Sequence, residues 1–141
     1  MLNSSDTILA LDVGARRIGV ASANAVARIA HPLVTLENNQ DILTRLQELA
    51  QQEQAVMVVI GLPRGMEGQE TDQTRTVRAF GDEVGAHIGL PVYWQDEAVT
   101  SQKAEAELTS RGKPFAKGDV DALAATYILE DFLNDHPEVR A

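Results

Sequence analysis

Hydrophobic and polar positions change rhythm several times along the chain, and each change marks an element. Ile8, Leu9, Ala10 and Leu11 form a short unbroken apolar run of the kind buried in a central strand. Ile18, Val20 and Ala21 resume β patterning beyond a short reversal at Gly14, where glycine can supply the positive φ that a tight turn needs. Pro32 to Leu36 reads as a third extended run. Ile42, Leu43, Leu46, Leu49 and Ala50 then recur at helical spacing behind a capping Asn39, which predicts an amphipathic helix over Asp41 to Gln52. Val56 to Ile60 is again a buried-type strand, ending at Gly61-Leu62-Pro63. Val77, Phe80, Val84 and Ile88 share one stripe of a helix running from about Thr71 to Ile88. A strand over Pro91 to Gln95, a helix from about Thr100 to Ser110 and a loop over Arg111 to Gly118 follow. A last helix, Asp119 to Asn134, buries Leu123, Ala124, Tyr127 and Ile128.

The resulting order, βββαβαβαα, is a three-stranded antiparallel meander joined to parallel βα units, an α/β architecture with a mixed sheet flanked by helices. No repeat, low-complexity tract or linker interrupts it, and 141 residues with 44% hydrophobic content suit one domain over residues 1–141. Two lobes closing over a nucleotide do not fit this length, which sets aside the two-domain ATPases that open on a similar Asp-x-Gly hairpin.

Composition restricts the chemistry. With no cysteine, disulfides and thiolate zinc sites are excluded, and His31, His87 and His136 show no metal-ligand spacing. A metal here is held by carboxylates, which favours hard ions such as Mg²⁺ or Mn²⁺. No window approaches a membrane span, and the first six residues lack the basic and apolar regions of a signal peptide, so a cytoplasmic protein is expected. The formal charge of −9 argues against a sticky, non-specific nucleic-acid binder. The cations are unevenly placed, however: all but Arg45 and Arg140 lie in or beside the motif-bearing segments, so that a basic rim can surround an acidic centre.

In such an architecture the parallel strands share one carboxyl end, and sites collect there. Asp12 stands where the first strand leaves the core. Gly61 to Gly68 leaves another strand with glycines that allow close approach of an anion, and Arg64 can meet a phosphate. Asp96 and Glu97 leave a third; adjacent strand residues point to opposite faces, so one of the two is structural. On the last helix, Asp119 follows Gly118 and suits an N-cap, which leaves Asp121 to be carried toward the sheet. Asp12, Glu97 and Asp121, three acids from separate segments, form a carboxylate cage of the type that holds two divalent ions for attack of water on a phosphodiester. Carboxylates brought together repel unless a cation or proton intervenes, so the cluster is a metal site or has raised pKa values.

Nearly the whole chain resembles the YqgF/RuvX family. The marks are Asp12-Val13-Gly14-Ala15-Arg16-Arg17-Ile18-Gly19-Val20-Ala21, Gly61-Leu62-Pro63 with Gly68, Asp96-Glu97, and Lys117-Gly118-Asp119-Val120-Asp121-Ala122-Leu123-Ala124-Ala125. The resemblance implies a ribonuclease-H-like fold and a metal-dependent phosphodiesterase, either a pre-16S ribosomal RNA nuclease or a Holliday junction resolvase, with Asp12, Glu97 and Asp121 on the family's catalytic acids. One departure stands out: the family usually places Arg after its Asp-Glu, and this chain has Ala98.

Two classes of function follow. In a nuclease, Asp12, Glu97 and Asp121 hold the metals and Arg16, Arg17 and Arg64 receive backbone phosphates. Phe115, with Lys113 and Lys117, touches a distorted or single-stranded segment, or else docks on the core. In a non-catalytic module for RNA or ribosome precursors, the acids serve metal-assisted docking. An RNA precursor is the favoured partner over a four-way DNA junction, because a small acidic domain lacks the broad basic surface a junction requires. A homodimer is called for only if two strands are cut symmetrically.

Overall fold

The computed structural model describes residues 3–97 and 100–139. Strands β1 (Thr7–Val13), β2 (Arg17–Asn24) and β3 (His31–Glu37) are followed by helix α1 (Ile42–Gln52), strand β4 (Ala55–Pro63), helix α2 (Asp72–Ile88), strand β5 (Val92–Glu97) and helices α3 (Thr100–Ser110) and α4 (Lys117–Asp135). The expected order holds. The five strands form one sheet in the order β3-β2-β1-β4-β5, antiparallel through the meander and parallel from β1 to β4 to β5. This is a ribonuclease-H-like mixed sheet.

Alternation along the strands divides the core between the two faces. Leu9, Leu11, Ile18, Val20, Ile60 and Leu62 face α1 and α2, meeting Ile42, Leu46, Val77 and Val84. Ile8, Ala10, Ala21, Ala23 and Val59 face α4, meeting Ala125, Ile128, Leu129 and Phe132. α3 then packs on the outer side of α4 through Ala104, Leu108, Leu123, Ala124 and Tyr127.

The small residues on the α4 face have a specific consequence. A Cβ at Gly19 would lie 2.0 Å from the carbonyl oxygen of Asp121, and one at Gly61 would lie 2.4 Å from Ile128. α4 therefore rests almost on the sheet backbone, and these glycines set its height.

Three local readings need correction. Gly14 does not adopt positive φ; its N–H donates to Arg17 O at 2.9 Å, and a Cβ there would come within 2.7 Å of that oxygen, so glycine serves close approach. Gly61-Leu62-Pro63 is strand rather than strand end, paired with Gln95, Asp96 and Glu97. β4 pairs with β1 only as far as Ile60, so Pro63 lies where that neighbour has ended and its missing N–H breaks no ladder. Finally, α4 begins two residues earlier than expected, at Lys117. Asp119 is thus inside the first turn and its carboxylate reaches back to the N–H of Ala116 at 2.9 Å, an N-terminal role from a different position.

Candidate active site

The β1–β2 pairing places Asp12 directly opposite Gly19. Because α4 presses on Gly19 through Asp121, the two aspartates are brought to the same spot by backbone packing. Burial, reinforced by the charge of Asp121, pushes the Asp12 carboxyl up from 3.8 to about 6. Asp121 is held by the meander: Arg17 Nε donates to its Oδ2 at 2.6 Å. No hydrogen bond reaches the Asp12 carboxylate among the described residues. One acid is thus clamped and the other left with open oxygens beside it.

Glu97 shares the sheet face of Asp12. Gly61 pairs with Gln95, level with Asp12, and Glu97 follows two residues on. β1 and β5 are separated by β4, a lateral span of roughly 10 Å at normal strand spacing, so Glu97 does not touch Asp12. It meets α4 further along instead. Burial first, then a hydrogen bond and the charge of Asp131, push Glu97 up to about 8, while Lys103 pulls the other way. Two carboxyl groups share a hydrogen bond only when one carries a proton. Glu97 Oε1 is otherwise buried with no donor. Asp131 is exposed on α4 one turn beyond Ile128, at the margin of the stripe that packs on the sheet, and no pattern in the sequence marks it.

Asp96 points to the opposite face, as alternation requires. There it accepts from Arg64 Nε at 3.1 Å, and Arg64 also lies 3.7 Å from Glu70. Glu70 accepts from Arg78 at 2.7 Å and is held below the usual carboxylate range by that contact, and Arg78 covers the Trp94 ring at 5.6 Å. Arg64 thus joins the loop after β4 to β5, away from the acid pair. Arg16 is exposed in the β1–β2 turn, and Lys113 and Lys117 are exposed on the approach to α4. Ala98 lies outside the described residues.

The donor set suits a hard cation. Asp12 and Asp121 offer carboxylate oxygens whose mutual repulsion a divalent ion relieves, and the orphaned Glu97 Oε1 is a further oxygen in want of a positive partner. Among the described residues, however, no group of three or more acids or histidines is gathered closely enough to form a complete metal cage. The structure builds a two-carboxylate centre with Glu97 on its flank.

This sheet, with an acid at the end of its first strand and another on its last helix, defines the chain as a ribonuclease-H-like protein. Solved structures of the same architecture include RuvC of Thermus thermophilus, with a TM-score of 0.57 at 15% identity over 95% of this chain and 98% of that one. The Fowlpox virus resolvase matches with a TM-score of 0.53 at 8% identity, over 92% and 97%. A family model described as "RuvX: Holliday junction resolvase" matches residues 6–135, and the chain belongs to that family. Among curated relatives, the "Putative pre-16S rRNA nuclease" of Chloroflexus aurantiacus is 41% identical over 131 residues, covering 90% of this chain and 86% of the relative. A protein of the same name in Actinobacillus succinogenes is 35% identical over 136 residues, covering 94% and 97%.

Proposed function

We propose that the protein is a metal-dependent phosphodiester hydrolase acting on a ribosomal RNA precursor. The observation that carries this reading is the Asp12–Asp121 pair: the Gly19 contact holds the two together, Arg17 engages Asp121, and the buried Asp12 carboxylate beside it has no hydrogen-bond partner among the described residues. The ion pair with Arg17 accounts for Asp121, but packing gives no reason to bury the Asp12 charge beside it, and hydrolysis of a phosphodiester does. Asp12 and Asp121 would hold Mg²⁺ or Mn²⁺, with Glu97 as the third acid; the bound ion supplies charge neutralisation and an activated water.

The chain's own residues do the remaining work. Arg17 fixes the Asp121 carboxylate in one orientation by its 2.6 Å hydrogen bond, so that the pair is preorganised. Its guanidinium has further donors beyond the one used, and with the exposed Arg16 it presents positive charge to an incoming phosphate. Burial and Asp131 push the Glu97 carboxyl up, so Glu97 would join the ion only on losing its proton, a step that the positive charge of the ion favours.

RNA is favoured because the relatives at 35% and 41% identity carry a ribosomal RNA nuclease name. The family description supports a second reading, cleavage of four-way DNA junctions. The discriminating experiment offers purified protein a small-subunit ribosomal RNA precursor and a four-way junction in parallel, each with Mn²⁺. Cleavage of the RNA alone supports the first reading; paired symmetrical nicks in the junction without RNA cleavage support the second. Binding without any metal-dependent product would leave a docking module.

A further inference from the structure

The loop between α3 and α4 carries a feature that the acid centre does not use. Phe115 keeps 37% of its surface exposed in a chain with only 4% aromatic residues. Its ring lines a cleft of about 280 Å³ floored by Leu108, Ala122 and Leu123. The floor is firm. Tyr127 O–H donates to Glu107 at 2.6 Å, Glu107 also pairs with Arg111, and Lys103 sits 4.5 Å over the Tyr127 ring, so α3 is fastened to α4 beneath the loop.

Charge identifies the occupant. Residues 111–118 contain Arg111, Lys113 and Lys117 and no acid, although the chain as a whole carries −9. An apolar peptide would gain nothing from that rim, whereas a polyanion with flat apolar units matches both the cations and the ring. Asp119, the one acid lining the cleft, is engaged by the Ala116 N–H. Asp119 lines the cleft and Asp121, two residues further along α4, faces Asp12, so the cleft and the acid pair lie on opposite sides of the first turns of that helix.

We propose that this cleft receives an unstacked base of single-stranded RNA, stacked on Phe115, with the flanking phosphates met by Lys113 and Lys117. The proposal rests on the reading of the protein as acting on RNA and adds how the strand is gripped across α4 from the acids. Base–aromatic stacking is sequence-tolerant, so the site holds a strand in place without reading its sequence.

The test is equilibrium binding of a short single-stranded RNA carrying one 2-aminopurine, measured on an Asp12→Asn background so that nothing is cut. Binding should quench the fluorophore. Phe115→Ala should abolish the quench and weaken binding about ten-fold, Phe115→Tyr should restore both, and Phe115→Leu should restore neither. Circular dichroism checks that each variant is folded. Unchanged affinity and quench in folded Phe115→Ala overturn the proposal, and wild-type behaviour of Phe115→Leu overturns stacking as its basis. Tighter binding of the DNA strand of the same sequence overturns RNA as the occupant. Quenching through Phe115 in a protein that cleaves no RNA would sustain the base site while removing the hydrolase reading; metal-dependent cleavage without any Phe115-dependent quench would do the reverse.

Discussion

Replacing Asp12 by Asn should make the metal-free protein more stable, and only above about pH 4. The side chain keeps its shape and loses its charge, and among the described residues no hydrogen bond to the carboxylate would be lost with it. In the folded chain the carboxyl titrates at about 6 instead of 3.8, because ionisation there means desolvation beside Asp121. The folded state therefore holds its proton more tightly than the unfolded state, and stability falls as pH rises from about 4 to 6. Above pH 6 both states are ionised and the full penalty applies, about 3 kcal/mol at 1.36 kcal/mol per pH unit. For a chain of this size that corresponds to a rise in Tm of about 5–10 °C in Asp12→Asn at pH 8, shrinking to nearly nothing at pH 4. Thermal unfolding by circular dichroism in the presence of a chelator measures it. Adding Mg²⁺ or Mn²⁺ should then raise the Tm of the wild type and leave the variant unmoved. A variant less stable than wild type at pH 8, or a difference independent of pH, would show that Asp12 is not a strained charge and refute the reasoning.

Gly19→Ala should lower stability by about 3 kcal/mol or more and abolish cleavage, because its Cβ would meet the Asp121 carbonyl at 2.0 Å; a soluble, fully active variant in a thermal melt and cleavage assay contradicts this. Arg17→Met should cost about 1–2 kcal/mol in a urea titration and raise the Asp12 pKa further, read by ¹³C NMR of the carboxyl, since it strips Asp121 of its counter-charge. Asp119→Ala should cost about 1 kcal/mol through the lost contact with the Ala116 N–H while leaving metal-dependent cleavage within about two-fold; Asp119→Asn should be nearer wild type. Loss of activity in Asp119→Asn with retention in Asp121→Asn would mean that the two aspartates have exchanged roles.

The sequence is informative where a short-range pattern has a single physical solution. The apolar run ending at Asp12 can only be a buried strand delivering an acid to its exit, and the stripes of α2 and α4 bury Val77, Val84, Leu123 and Ile128 as their spacing requires. Alternation also separates Asp96 from Glu97 correctly, since period two is enforced by the backbone. Contacts between distant segments are different. That Arg17 spends one donor on Asp121, that Arg64 faces Asp96 and Glu70, and that Glu97 meets Asp131 all depend on how α2, α4 and β5 dock, which no local pattern encodes. The extent of β4 was hidden for a related reason: glycine and proline signal a strand end unless a neighbouring strand has already stopped, and only the register reveals that β1 does so.

The central claim is that Asp12 and Asp121 together make a hydrolytic metal centre, and its most direct test is cleavage of a small-subunit ribosomal RNA precursor by wild-type, Asp12→Asn and Asp121→Asn proteins, matched for folded content and titrated with Mn²⁺. The account predicts metal-dependent cleavage by the wild type and a loss of at least about 100-fold in each variant, since removing either carboxylate unmakes the same site. Equal rates in wild type and both folded variants would contradict it.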